Sequence, residues 1–399
     1  MPGPRLAMFH PAFRTVGGAD LLAARQARFL ASEGFGVEAV TFEWDAARWR
    51  EALDGVPVRL VAKRSLGDVR FGLGRLGKVQ ARGARAQRSL QGFDLVVAHN
   101  HPASAMLGHM ELGAAKLWYC HEPRRRLYPL ESNPALAAKA GQGPGPGRDA
   151  WAFEDFRPAS AEARMQAHDR AGVRGLAGII ANSAFTDANL RAIYGRGADA
   201  VIPPMVRFPS ARLTGRGLRG SGLQLLLISR LGDPKNTDVV LRGFAAFAAR
   251  HPGSRLHIVG EGPSRPRLEA LAGRLCPGRA LFHGFLDEAA LDGLRAACDA
   301  YVQLPLDEPF GMVFPEAAGA GLLVIGPDHG GPVEILEGGA LGACVDAFDP
   351  EALASALDRL ARLSESQVEA LRAKADAACR ARYAEPVIGA ALKAFLGRY

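Results

Sequence analysis

Short apolar runs alternate with helix-like stretches along nearly all of this chain, and that alternation leaves few folds open. In the first half the runs are RLAMFHP, VEAVTF, VPVRLV, FDLVVAHNH, KLWYCHEP and GIIANS. Between the first two, Asp20 to Glu33 (DLLAARQARFLASE) carries apolar residues at helical spacing, with Gly34 behind it as a stop. Strands that alternate with helices form βαβ units around a parallel sheet. Ile202 to Ser221 (IPPMVRFPSARLTGRGLRGS) is rich in Pro, Gly and Arg and has no apolar period, so it reads as a domain boundary. Beyond it the alternation restarts. LQLLLIS, SRLHIVG, ALFHGF, AYVQLP and LLVIGP read as strands, and DVVLRGFAAFAARH, RPRLEALAGRL, EAALDGLRAAC, PEAAGAG and EIL as the helices between them.

The expected fold is therefore α/β, two Rossmann-like doubly wound domains facing a cleft, with ligands at the carboxyl ends of both sheets. The expected division is residues 1–205, residues 206–380 and a C-terminal helix at 381–399. The helices from Glu351 to Tyr399 are read as able to fold back over the first domain. Residues 130–165 contain GQGPGPGRD and read as a long loop beside the cleft, with neither helix nor strand.

A length of 399 residues accommodates two domains. No stretch approaches the roughly 18 apolar residues of a membrane span. The N-terminal apolar run is too short for a secretory signal, so a cytoplasmic location is expected. Five cysteines lie singly, with no C-x-x-C, which argues against zinc and a disulfide framework. The net charge of +8 comes largely from scattered Arg without interleaved aromatics, so no nucleic-acid partner is expected. One segment, Lys63 to Arg88, is concentrated, with Asp68 as its one acid and Val69, Phe71, Leu73, Leu76 and Val79 interspersed. It reads either as a surface for weak peripheral contact with an anionic membrane or as a solvated basic helix.

The densest motif is Glu308-Pro-Phe-Gly-Met-Val-Phe-Pro-Glu316, followed by Ala-Ala-Gly-Ala-Gly321, a strand and Gly330-Gly331-Pro332-Val333-Glu334. Its two carboxylates are separated by seven residues across a loop-to-helix junction. Gly311 removes a Cβ where backbone must approach a ligand. A helix starting near Phe314 offers unpaired N–H groups and the positive end of its dipole, which suits a diphosphate. Glu308, in the loop, is placed to accept from sugar hydroxyls, and Glu316, in the helix, from a ribose diol. A second motif, Ile228-Ser-Arg230-Leu-Gly232-Asp-Pro-Lys235-Asn, follows the first strand of the second domain. Its Arg and Lys supply cation donors for phosphate oxygens and for charge on a departing diphosphate.

Weaker signals lie at other strand ends. Gly260 and Gly262, in VGEGP, allow close backbone approach or make a plain tight turn. Gly17 and Gly18 stand between the first strand and helix, where N–H groups reach a phosphate. His121 ends the KLWYC strand, placed to bond a sugar hydroxyl, and Arg124, Arg125 and Arg126 behind it could meet an acidic acceptor. His99 and His101 sit at an analogous strand end.

Read in order, GG, HEP, ANSxF, RLxxxK, GxGP, EPFGxxxxEAxxxG and GGPxE resemble the family 4 retaining glycosyltransferases of GT-B fold, with the likeness dense from Leu225 to Glu334. The resemblance implies an acceptor-side first domain and a second domain that binds a nucleotide-diphosphate sugar, UDP- or GDP-linked. A hexose-type sugar would pass with retained configuration to a glycan or lipid-linked acceptor. Arg230 and Lys235 would bind the diphosphate, Glu308 the donor sugar and Glu316 the ribose. Phe310, Gly311, Met312 and Val313 would give backbone contacts. Gly18 would approach the diphosphate or acceptor and His121 the transferred sugar. The base would lie near His283, Phe285 and Leu286. No cofactor and no obligatory metal is implied, in keeping with the missing Asp-x-Asp cluster. Two features depart from the family pattern: Gly17-Gly18-Ala19-Asp20 replaces Gly-Gly-x-Glu, and the loop at 130–165 is long. The alternatives on the same fold are a nucleotide-sugar epimerase, a phosphorylase and a degenerate nucleotide-binding protein. A phosphorylase needs a lysine for pyridoxal, and the second half offers Lys235, Lys374 and Lys393 alone.

Overall fold

The computed structural model describes residues 3–14, 17–62, 75–129, 131–140, 159–209, 218 and 222–399. The chain divides into two compact units. The first comprises residues 1–132, 155–205 and 385–399, and the second residues 133–154 and 206–384.

In the first unit the strands are β1 (Arg5–His10), β2 (Gly36–Thr41), β3 (Val58–Leu60), β4 (Leu95–His99), β5 (Ala115–Cys120), β6 (Gly178–Ala181) and β7 (Ala200–Val201). They form one sheet in the order β3-β2-β1-β4-β5-β6-β7, every pairing parallel. Alternate residues of a strand face opposite sides, and here both sides are covered. Leu6 and Met8 enter one core cluster, Ala7 and Phe9 the other. That is why β1 reads as an unbroken apolar run.

The second unit repeats the plan with β8 (Gln224–Ile228), β9 (Arg255–Val259), β10 (Ala280–Gly284), β11 (Ala300–Val302), β12 (Leu323–Pro327) and β13 (Ala343–Val345). Its order is β10-β9-β8-β11-β12-β13, again parallel. Leu225 and Leu227 face one core, Leu226 the other. In both sheets the winding reverses beside the first strand, between β1 and β4 and between β8 and β11. Open α/β sheets bind ligands outside the carboxyl ends of the strands at such a point.

Two expectations need correction. Residues 130–165 are not without helix: Pro134–Ala140 and Ala159–Arg174 are helical, because both segments are rich in Ala, the best helix former. The helix Pro134–Ala140 clusters with the second unit, where Ala135 N–H donates to Asp307 Oδ1 at 3.1 Å. The Gly-rich stretch 141–158 lies outside the described residues. Of the terminal helices, Pro350–Ala361 packs on Thr237–Arg250 and Glu365–Tyr383 on Val313–Gly319, both in the second unit. Only Glu385–Leu396 joins the first unit. There Gly389 lets the helix seat against the Phe29 ring, and Lys393 Nζ meets Glu33 Oε2 at 2.7 Å.

Candidate functional site

In the second unit the chain leaves β8 at Ile228 and β11 at Val302, on the two sides of the reversal. Arg230 and Lys235 follow the first strand and Glu308 the second, so the topology brings separate motifs to one place. Two backbone clamps hold the loops together. Leu306 N–H donates to Pro234 O at 3.0 Å. Asn236, buried and at φ 54°, donates its amide to Leu304 O at 2.9 Å and Ala347 O at 2.6 Å. The result is an ion pair, Lys235 Nζ to Glu308 Oε2, at 2.6 Å, with both side chains about three-quarters buried or more. Arg230 is exposed and has no side-chain partner among the described residues. One cation of the Arg230–Lys235 motif is thus held by a carboxylate of the Glu308–Glu316 motif, and the other has no side-chain partner among the described residues.

Behind Glu308 the backbone enters the short helix Val313–Gly319. Phe314 N–H is taken by Gly311 O at 3.0 Å and Glu316 N–H by Met312 O at 3.3 Å. The four preceding N–H groups, from Phe310 to Val313, have no acceptor among the described residues. Gly311 sits at φ 89°, the left-handed conformation that lets successive N–H groups converge into an anion-binding nest. The donors expected from the helix start therefore run from the loop, at Phe310 to Met312, into the first helical residue, Val313. The Phe310 ring itself is core, edge-on to Tyr383 at 5.3 Å. Glu316 stands in the first turn of the helix. Burial pushes the Tyr301 phenol far above its ordinary range, and the charges of Glu308 and Glu316 push it further. Both carboxylates therefore act on one buried ring of β11.

The glycines of the second unit serve loop-to-loop packing. Gly260 has φ 124°, and a Cβ there or at Gly262 would overlap the carbonyl of Ser229 or Leu231. The two loops are stitched by Leu231 N–H to Glu261 O at 2.9 Å and Ser264 N–H to Leu231 O at 3.1 Å. Likewise Gly330 and Gly331 bring the helix Gly331–Ile335 against the Glu308 loop, with Gly331 N–H on Glu308 O at 2.8 Å. These glycines shape the site from behind. Past β10, Phe285 is 84% exposed. His283 instead joins a row along the sheet: its Nε2 meets His257 Nδ1 at 3.0 Å, and His257 Nε2 meets Gln224 Oε1 at 3.4 Å. Burial lowers both rings, His257 to about 4.

In the first unit three adjacent strands, β1, β4 and β5, end in His10, His99 and, one residue on, His121. His10 Nδ1 accepts from Ala12 N–H at 3.3 Å, so its proton sits on Nε2 and is donated to Asp20 Oδ1 at 2.9 Å. Asn100, at φ 57°, donates to the same oxygen at 3.1 Å. His99 Nδ1 and His121 Nε2 lie 3.0 Å apart. Asn182 fixes the backbone by donating to His121 O at 2.8 Å. Burial holds His99 well below the usual imidazole range and lowers His121 to about 3, so both rings are neutral at ordinary pH. Gly17 precedes the helix Gly18–Ser32 without a side-chain cap, which leaves that end to Asp20 in its first turn. Of the arginines after His121, Arg125 is paired with Glu122 at 2.6 Å.

Sequence reasoning placed Arg230, Lys235, Glu308, Glu316 and the 310–313 backbone around one strand-end region. It missed His10, Asn100 and Asp20 as a group. The signal was present: FH, AH and CH close three apolar runs in the same way. No group of three or more His, Cys, Asp or Glu among the described residues has the arrangement of a metal site.

Residues 216–377, which contain this second-unit region, match the family model described as Glycosyl transferases group 1. An uncharacterized glycosyltransferase of Methanocaldococcus jannaschii is 30% identical over 145 residues, 36% of this chain and 37% of that protein. The D-inositol 3-phosphate glycosyltransferase of Acidothermus cellulolyticus is 33% identical over 189 residues, 42% of each. The chain thus matches about two fifths of the length of these curated relatives. The crystal structure of Anabaena HepE in complex with UDP and glucose shares the fold over 99% of this chain and 100% of that one, with a TM-score of 0.74 at 17% identity. The two Rossmann-like sheets are those of the GT-B glycosyltransferase structures.

Proposed function

We propose that the chain is a retaining glycosyltransferase that takes a hexose-type sugar from a nucleotide-diphosphate sugar and passes it to a glycan or lipid-linked acceptor. The observation that carries this reading is the row of four N–H groups, Phe310 to Val313, without an acceptor among the described residues, at the same sheet reversal as Arg230 and Lys235. Open N–H groups, a left-handed glycine and two cations make a diphosphate cradle.

In this reading the diphosphate lies on the 310–313 backbone and is met by Arg230 and Lys235. As the glycosidic bond breaks, negative charge grows on the leaving phosphate, and fixed cations stabilise that state more than the ground state. Lys235 turns from Glu308 to the phosphate, and the Glu308 carboxylate becomes an acceptor for sugar hydroxyls. Glu316 accepts from the ribose diol. Taken by itself, the first unit offers His121 as a hydrogen-bond donor and Asp20, held by His10 and Asn100, as an acceptor for hydroxyl groups. HepE was crystallised with UDP and glucose, which favours trying UDP-sugars first and leaves GDP-sugars as the second choice. No cofactor and no metal takes part in these steps.

The basic helix Arg75–Ser89 bears on the acceptor. Residues 63–74 of the predicted basic segment lie outside the described residues. Within the helix, Leu76 and Val79 pack into the first unit, and Arg82 lies 4.4 Å over the Phe42 ring. Lys78 and Arg88 are exposed. Any membrane contact here is electrostatic and weak. No helix among the described residues is long and apolar enough to cross a membrane.

The test is a panel of nucleotide sugars with released nucleotide as readout, followed by analysis of the product linkage. Turnover of a UDP- or GDP-sugar with the donor's anomeric configuration kept is expected. An inverted linkage overturns the retaining mechanism, and no release with any donor overturns the reading.

A further inference from the structure

His99 is fully buried on β4 and stacks on Tyr119 at 5.3 Å with planes 13° apart. Its Nδ1 lies 3.0 Å from His121 Nε2. Its other nitrogen, Nε2, is sealed from solvent and has no hydrogen-bond partner among the described residues. His121 is the reverse case: Nε2 is taken, and Nδ1 has no protein partner among the described residues.

A neutral imidazole carries one proton, so the 3.0 Å contact has two forms. If His121 donates, the proton of His99 is forced onto Nε2, an N–H buried with nothing to receive it. If His99 donates from Nδ1, only a lone pair is left without a partner among the described residues, and orphaned N–H groups are the rarer fault in folded proteins.

We propose that His99 is a positioning residue that fixes the tautomer of His121: His99 Nδ1–H donates into His121 Nε2, and the single proton of His121 is held on Nδ1. His121 then offers its ligand a neutral N–H donor and has no lone pair with which to act as a base. The natural partner of such a group is an uncharged oxygen acceptor such as a sugar hydroxyl. The choice of a sugar rests on the function proposed above, whereas the tautomer does not.

The experiment is a long-range proton–nitrogen spectrum of the full chain labelled with 15N-histidine, with His121 assigned by His121→Gln. The wild-type protein is expected to show His121 with a protonated Nδ1 and a bare Nε2, and His99 likewise. His99→Asn keeps a donor near the Nδ1 position and should keep the His121 tautomer, whereas His99→Leu should shift His121 towards the Nε2–H form. With an active donor, His99→Leu should lower kcat/KM about threefold to tenfold, what one neutral hydrogen bond is worth. His99→Asn should restore most of it, and affinity for free nucleotide should not move in either variant. A wild-type His121 protonated at Nε2 overturns the proposal. So does an unchanged His121 spectrum in folded His99→Leu. Failure to find any sugar transfer would overturn the proposed function and leave the spectrum to decide the tautomer by itself.

Discussion

Lys235 and Glu308 neutralise each other at 2.6 Å, and each is assigned a different part of the donor. An incoming diphosphate must compete with Glu308 for the lysine, so the carboxylate opposes binding of the bare nucleotide diphosphate and serves the sugar. Glu308→Gln should therefore tighten UDP or GDP several-fold while kcat falls. Titration of the nucleotide and steady-state rates on the same preparation check this, and weaker nucleotide binding in Glu308→Gln would refute the competition. Glu316→Ala should weaken the nucleotide by about 1.5–3 kcal/mol, the worth of hydrogen bonds to a charged acceptor. The pair of glutamates was singled out by its spacing together with the Gly, Pro and strand pattern around it. Their relation to Lys235 was not, because a contact across 73 positions in sequence is made by strand order, which no local pattern carries.

The loops after β8 and β9 behave as one element, joined by the bonds of Leu231 and Ser264. Gly260→Ala would place a Cβ on the Ser229 carbonyl at a φ of 124°. It should cost about 1–3 kcal/mol, in the range of strain at special backbone positions, and lower the thermal midpoint measured by calorimetry. An unchanged midpoint would remove the packing role. The helix Arg75–Ser89 carries the second prediction at this scale. Flotation with anionic liposomes at low and moderate salt should show weak, salt-sensitive association that is lost when Lys78 and Arg88 become Gln. Absence of binding at low salt refutes the membrane contact. The elements were legible wherever an apolar run was four residues or longer. The two-residue β7 was missed because it is too short for any period to show. The helices inside 130–165 were missed because the Gly-Pro run GQGPGPGRD outweighed the Ala-rich stretches on either side.

For the whole molecule, buried neutral histidines link folding to pH. The folded-state pKa of His99 is far below its unfolded value, and that of His121 falls to about 3, both chiefly through burial. Their contribution to stability is complete above an unfolded value of about 6.5 and is lost as pH falls below it, by up to about 1.4 kcal/mol per pH unit for each ring. Thermal midpoints should fall between pH 7 and pH 5, and the fall should be shallower in His121→Gln. Equal slopes in the two proteins would contradict neutral burial. The doubly wound plan was legible at this scale because sheets covered on both faces leave uninterrupted apolar strands. The His10–Asp20–Asn100 group was missed because its members come from three separate stretches that only the fold brings together. Sugar transfer by this chain requires the second unit to hold a nucleotide diphosphate at its strand ends. Isothermal titration of UDP, GDP and ADP into the full chain, and into Arg230→Ala and Glu316→Ala, measures that directly. One of the three nucleotides should bind the wild-type protein and bind each variant roughly tenfold or more weakly, as expected for loss of a charged hydrogen bond. Binding of none, or equal affinity in all three proteins, would contradict it.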